Sequence, residues 1–100
     1  MMLKTSRYDT ADYLDSPEAI AAYIEAVFED GDPALIAHAL GVVARARGMS
    51  QVARDAGLSR ESLYRALGSD GNPEFATVVR VLKALGLRLA AVPASTPDAA

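Results

Sequence analysis

The sequence predicts an all-α fold of five helices followed by a short C-terminal strand, and three observations carry that prediction. Helix starts and stops are paired along residues 16–86: Ser16-Pro17-Glu18 with Gly31, Asp32-Pro33 with Gly48, and Asn72-Pro73-Glu74 with Gly86. Between them apolar residues return every three or four positions, the period of a helix with one buried face. In residues 49–67, MSQVARDAGLSRESLYRAL, Ala53, Gly57 and Leu63 are spaced four and then six apart. That is helix-turn-helix spacing. A small residue lets two short helices approach, glycine takes the tight turn, and an apolar side chain locks the second helix onto the first.

Each element follows from local chemistry. Ser16 supplies a hydroxyl cap, Pro17 fits the first helical position, and Glu18 favours the positive end of the helix dipole. Ile20, Tyr23, Ile24, Val27 and Phe28 then share one face, and Gly31 stops the helix. Asp32-Pro33 repeats the start, and Leu35, Ile36, Ala39, Leu40 and Val43 continue the stripe up to Gly48. Ser50 is the expected cap of the third helix, with Val52, Ala53 and Ala56 inward. Ser59 is the expected cap of the fourth, with Leu63 and Leu67 inward. Gly68-Ser69-Asp70-Gly71 reads as a loop. Asn72-Pro73-Glu74 opens the fifth helix, whose apolar face is Phe75, Val78, Val79, Leu82 and Leu85.

After Gly86 the period changes. Leu87, Leu89 and Ala91 alternate with Arg88, Ala90 and Val92, which is strand patterning. A lone strand needs a partner edge, and the same segment of a second chain is the simplest one. Leu87, Arg88, Leu89, Ala90 and Ala91 are therefore the expected dimer interface; a plain extended tail is the alternative. The organisation is an N-terminal arm over 1–15, a helical domain over 16–86, a strand over 87–92, and a disordered tail over 93–100.

Charge is divided along the chain. Residues 1–44 hold two basic side chains against eight acidic ones, a balance of −6, and residues 45–88 hold eight basic against four acidic, a balance of +4. With Asp98 the total is −3. Such asymmetry suits two surfaces with different partners; ordinary solvated helix faces are the plainer reading. The chain has no cysteine, so disulfides and thiolate metal sites are excluded, in keeping with a reducing cytosol. His38 is the single histidine and has no second ligand at i+4, so it reads as a surface or half-buried polar residue. No apolar run reaches the ~20 residues of a membrane span, and no basic-then-apolar start marks a signal peptide. The expectation is a soluble cytoplasmic protein without cofactor, metal or active site, since no convergent carboxylate pair or nucleophile with a base is present.

The second helix of the 49–67 unit presents Arg60, Glu61, Ser62, Tyr64 and Arg65 outward, where a DNA major groove can lie. Arg60 and Arg65 can each fork onto guanine O6 and N7, a contact that contributes roughly 1–3 kcal/mol of discrimination, or can meet phosphate. Arg65 can instead pair with Glu61 on its own helix. Glu61 either accepts from cytosine N4 or stays off the DNA. Ser59 caps first and touches DNA second, while Ser62 is small enough for base or phosphate. Tyr64 either meets phosphate or a thymine methyl, or packs on the fifth helix. Ser50 and Gln51 stand at a helix start, where free N–H groups can meet phosphate, and Arg45 and Arg47 flank them. Tyr23 and Phe28 suit core packing, whereas Tyr8 and Tyr13 suit either the core or a partner.

The blocks ARARGMSQVARDAGLSRESLYRAL, GNPEF and LKALGLRL, with YDTADYLDSPEAIAAYIEAVFEDGDPALIAHAL upstream, resemble the addiction-module antidote family, HigA-like antitoxins with a lambda-repressor-like helix-turn-helix of the XRE type. The resemblance covers roughly residues 8–90. It implies an antitoxin of a type II toxin–antitoxin pair. Such a chain silences a small basic RelE/ParE-type toxin and binds operator DNA as a homodimer to repress its own operon. A basic toxin is a natural partner for the acidic half, because complementary charge accelerates association. One departure matters. Many lambda-repressor-type domains carry a glutamine four residues before the helix alanine, whereas Gln51 stands two before Ala53, so the phosphate role of that glutamine is not carried over to Gln51. Two other readings remain: a stand-alone repressor, and a toxin-binding module that has lost DNA binding.

Overall fold

A computed structural model describes residues 14–94, and within them the chain forms five helices. They are α1 (Pro17–Asp30), α2 (Pro33–Arg47), α3 (Met49–Ala56), α4 (Arg60–Ala66) and α5 (Phe75–Ala84). The first two start as the sequence predicts. Ser16 accepts the Ala19 N–H at 3.1 Å and Asp32 accepts the Ala34 N–H at 3.0 Å, each followed by proline at the first helical position.

Helix α4 also starts as predicted, at Ser59, whereas α3 and α5 differ from expectation. Helix α3 begins at Met49 with Gly48 as its cap, so Ser50 lies inside the first turn and caps nothing. The reason is that Gly48 serves both helices. Its N–H closes α2 on the Ala44 carbonyl at 2.8 Å, while its carbonyl accepts the Val52 N–H at 3.0 Å. The buried Met49 follows at once. Helix α5 begins at Phe75, and Asn72-Pro73 remains in the loop. Gly71 rests so close on the Ala66 carbonyl that a Cβ there would overlap it, and Glu74, in extended backbone, stands as the cap position of α5.

Helix α1 packs on α2, α2 on α3, and α3 on both α4 and α5. The core is Leu14, Ile20, Ile24, Leu40, Val43, Val52, Ala53, Leu63, Leu67, Val81, Leu82 and Leu85, with Tyr23, Val27 and Phe28 packed half-buried against it. This is the expected set with several changes: Val79 of the expected α5 face is half-buried and outside the core, and Leu14 joins it. Val81 replaces Phe75 in the α5 stripe, and Phe75, the first residue of α5, is 73% exposed. Leu35 is exposed near the start of α2, and Met49 is an addition.

Residues 87–94 form neither helix nor strand, and no strand occurs among the described residues. The predicted strand over 87–92 is therefore not seen: a strand is defined by its ladder, and the described residues offer no other edge. Leu87 is held by its own domain, donating its N–H to the Leu82 carbonyl at 2.8 Å and packing against the core. The arm over residues 1–13, with Tyr8 and Tyr13, and the tail beyond residue 94 lie outside the described residues.

Candidate nucleic-acid interface

The α3–α4 pair is built around Gly57. Its φ of 73° is left-handed backbone, which a side chain disfavours by about 1–2 kcal/mol. There the chain turns sharply: the Leu58 N–H bonds the Ala53 carbonyl at 2.9 Å and the Gly57 N–H bonds the Arg54 carbonyl at 3.2 Å. Both are the closing bonds of a glycine-terminated helix. Leu58 tucks against the core and Ser59 opens α4 by accepting the Ser62 N–H at 2.9 Å, as its cap role requires. Leu63, fully buried, then fixes α4 to the body. Together Ala53, Gly57 and Leu63 do what their spacing predicts.

The predicted site residues fall into two groups on this unit. On α4, Arg60, Glu61, Tyr64 and Arg65 are exposed and Ser62 is half-buried. Ser59 Oγ also donates to Ser62 Oγ at 2.8 Å, so both hydroxyls are tied to the helix start. On α3, Ser50 and Gln51 are exposed, and Gln51 is pinned from both sides. Its Nε2 donates to Asp55 at 2.9 Å, and its Oε1 accepts from Arg54 Nη1 at 2.9 Å. Arg45, Arg47 and Arg54 are exposed as well, as are Asp55 on α3 and Glu61 on α4. Arg88, Leu89, Ala90 and Ala91 are exposed on the segment after α5, and His38 is exposed on α2.

Sequence reasoning missed two features. Arg60 lies over the ring of Tyr64, one turn along, and the i,i+4 spacing of a cation and an aromatic was the available signal. The second is an apolar cleft on the far side of the α4–α5 loop, lined by Phe28, Pro33, Ile36, Phe75, Val78 and Leu89. No local pattern marks it, since its walls come from four separate parts of the chain. Among the described residues no group of three or more His, Cys, Asp or Glu side chains converges as metal ligands. No helix there is long and apolar enough to cross a membrane.

Comparison with known proteins places this arrangement. Residues 4–93 match the family described as "Probable addiction module antidote protein". The chain belongs to that family. A relative from Haemophilus influenzae, described only as an uncharacterized protein, is 53% identical over 81 residues, covering 81% of this chain and 84% of that protein. No solved structure matches the chain. Membership of an antidote family implies a toxin as partner, and the division of charge acquires a meaning in that setting. Exposed acidic side chains, Glu18, Glu25, Glu29, Asp30 and Asp32, lie on α1 and the turn after it, whereas α3 and α4 carry exposed Arg54, Arg60 and Arg65 with Asp55 and Glu61.

Proposed function

We propose that this chain is the antitoxin of a type II pair, neutralising a small basic RelE/ParE-type toxin and binding operator DNA to repress its own operon. The observation that carries the DNA half is the presentation of α4. The Gly57 turn and buried Leu63 hold this helix on the surface, with Arg60 and Arg65 exposed on it. Arg60, Glu61, Ser62, Tyr64 and Arg65 are the base-side candidates, while Ser50, Gln51 and Ser59 stand toward the phosphates. A homodimer formed through residues 87–91 sets two such helices about one turn of DNA apart, the geometry for a palindromic operator. Because the chain is acidic overall, operator affinity is modest and strongly salt-dependent.

The test separates the two halves. Arg60→Ala with Arg65→Ala should abolish salt-sensitive binding to the DNA upstream of the gene while leaving toxin neutralisation intact. If neutralisation disappears as well in a folded protein, α4 is a toxin surface. A second reading, a toxin-binding module without DNA activity, is favoured by one observation: Arg60 and Gln51 are both engaged by their own helices, on Tyr64 and on Asp55 and Arg54. Absence of operator binding by the unsubstituted chain selects that reading. A stand-alone repressor is selected if no small basic reading frame adjoins the gene.

A further inference from the structure

Phe75 is the anomaly of the surface. A phenylalanine 73% exposed at the start of a helix lines one cleft with half-buried Phe28, Ile36 and Val78 and with Leu89, a residue that the proposed dimer segment also contains. Single exposed apolar residues need no explanation, but a contiguous set around a concavity marks a contact surface. The cleft is apolar except for Asn72. The charges flanking its walls in the chain are mostly acidic and exposed: Glu29, Asp30 and Asp32 before Pro33, and Glu74 before Phe75, against Arg88 beside Leu89.

We propose that this cleft is where the toxin docks, taking an apolar side chain from a basic segment of that protein; the proposal rests on the antitoxin reading above. Charge decides the occupant. A second copy placed here by a two-fold axis would set Glu29, Asp30, Asp32 and Glu74 near the same residues of its twin, and like charges resist such contact. A copy offering the arginines of its α3–α4 unit would match the charge, but that head-to-tail contact is heterologous and leads to open chains unless its rotation closes a ring. A basic protein of a different kind suits both the apolar cleft and the acidic residues that adjoin its walls in the chain. Phe75 is the expected anchor, because aromatic side chains seated in a pocket dominate binding energy. Arg60 does not line the cleft.

The experiment uses the full chain and the purified protein encoded by the reading frame beside its gene. With Phe75 replaced by the photoreactive p-benzoylphenylalanine, irradiation of the complex should cross-link position 75 to that protein. In parallel, Phe75→Glu should weaken the complex at least 30-fold, the scale of a hot-spot aromatic. Joint reversal of Glu29, Asp30 and Glu74 to lysine, which spares the capping Asp32, should slow association about tenfold at low salt. Circular dichroism should show both variants folded, since the substituted side chains are exposed. Cross-linking only to a second copy, or only within the chain, overturns the assignment. So does a Phe75→Glu protein that is folded and binds normally. If the unsubstituted chain does not bind the neighbouring protein at all, the antitoxin reading itself fails.

Discussion

The Arg60 guanidinium lies 5.4 Å from the centroid of the Tyr64 ring, and its Nη2 reaches the Tyr64 hydroxyl at 3.5 Å. One turn of α4 therefore orients its own leading cation. The stack is worth about 0.5–1 kcal/mol at an exposed site, too little to hold Arg60 against a better partner such as guanine. Arg60→Ala should lower operator affinity by roughly 1–3 kcal/mol, read by fluorescence anisotropy at fixed salt. Arg60→Lys should recover only part, because an ammonium cannot reproduce the planar fork. Tyr64→Phe keeps the ring and should bind within twofold of the parent. Tyr64→Ala should bind a few-fold more weakly; tighter binding instead means that the ring holds Arg60 away from DNA.

The start of α4 depends on one hydroxyl. Ser59 Oγ accepts the Ser62 N–H at 2.9 Å, and no other side chain caps this helix. Ser59→Ala should cost about 1 kcal/mol. For a domain of this size that lowers the melting temperature by roughly 4–8 °C, as calorimetry would show. Ser62→Ala removes only the hydroxyl–hydroxyl contact and should cost less. Equal losses would mean that the paired hydroxyls, and not the cap, stabilise the turn.

Gly57 sits at φ 73° with open space where a Cβ would stand, so any penalty for a side chain there is conformational and not steric crowding by neighbours. Gly57→Ala should lose about 1–2 kcal/mol in urea unfolding. Gly57→Asn should lose less, since asparagine visits left-handed backbone more readily. An alanine variant as stable as the parent would show that the turn adopts another path.

How legible these features were depends on how local their causes are. Ser16, Asp32, Ser59 and Gly57 act within four residues of themselves, and each performs the role read from sequence. Ser50 failed because the rule places a cap at the first plausible hydroxyl, whereas Gly48 joins α2 to α3 in a single residue. Phe75 fits the periodicity of α5 perfectly well, yet periodicity cannot say where the core ends. The apolar cleft was illegible for a related reason: Phe28, Ile36, Phe75 and Leu89 meet only through tertiary packing. The strand over 87–92 was read from alternation alone, and alternation gives no pairing partner.

Gly71 makes the α4–α5 loop depend on a missing side chain. A Cβ at this position would overlap the Ala66 carbonyl, a backbone group that cannot swing away. The Gly71 N–H also bonds the Gly68 carbonyl at 2.9 Å, fixing the loop onto the end of α4. Gly71→Ala should therefore destabilise by roughly 1–3 kcal/mol, the usual cost of overpacking. Denaturant midpoints would measure it. A cost near zero would show that the loop can lift from α4 freely.

Pairing of the 87–92 segments between two copies carries a signature that no other dimer contact shares. In an antiparallel ladder, successive N–H groups point alternately toward the partner and away from it. Proline removes one N–H and is tolerated only where that group does not bond across the ladder. Ala90 and Ala91 are both exposed and adjacent, so one of them donates to the partner and the other does not. Only one of Ala90→Pro and Ala91→Pro should dissociate the dimer in sedimentation analysis, and the other should leave it intact. Both substitutions touch an exposed segment beyond the core, so the helical domain should melt as before. If both dissociate the dimer, or neither does, the chains associate through some surface other than a strand ladder.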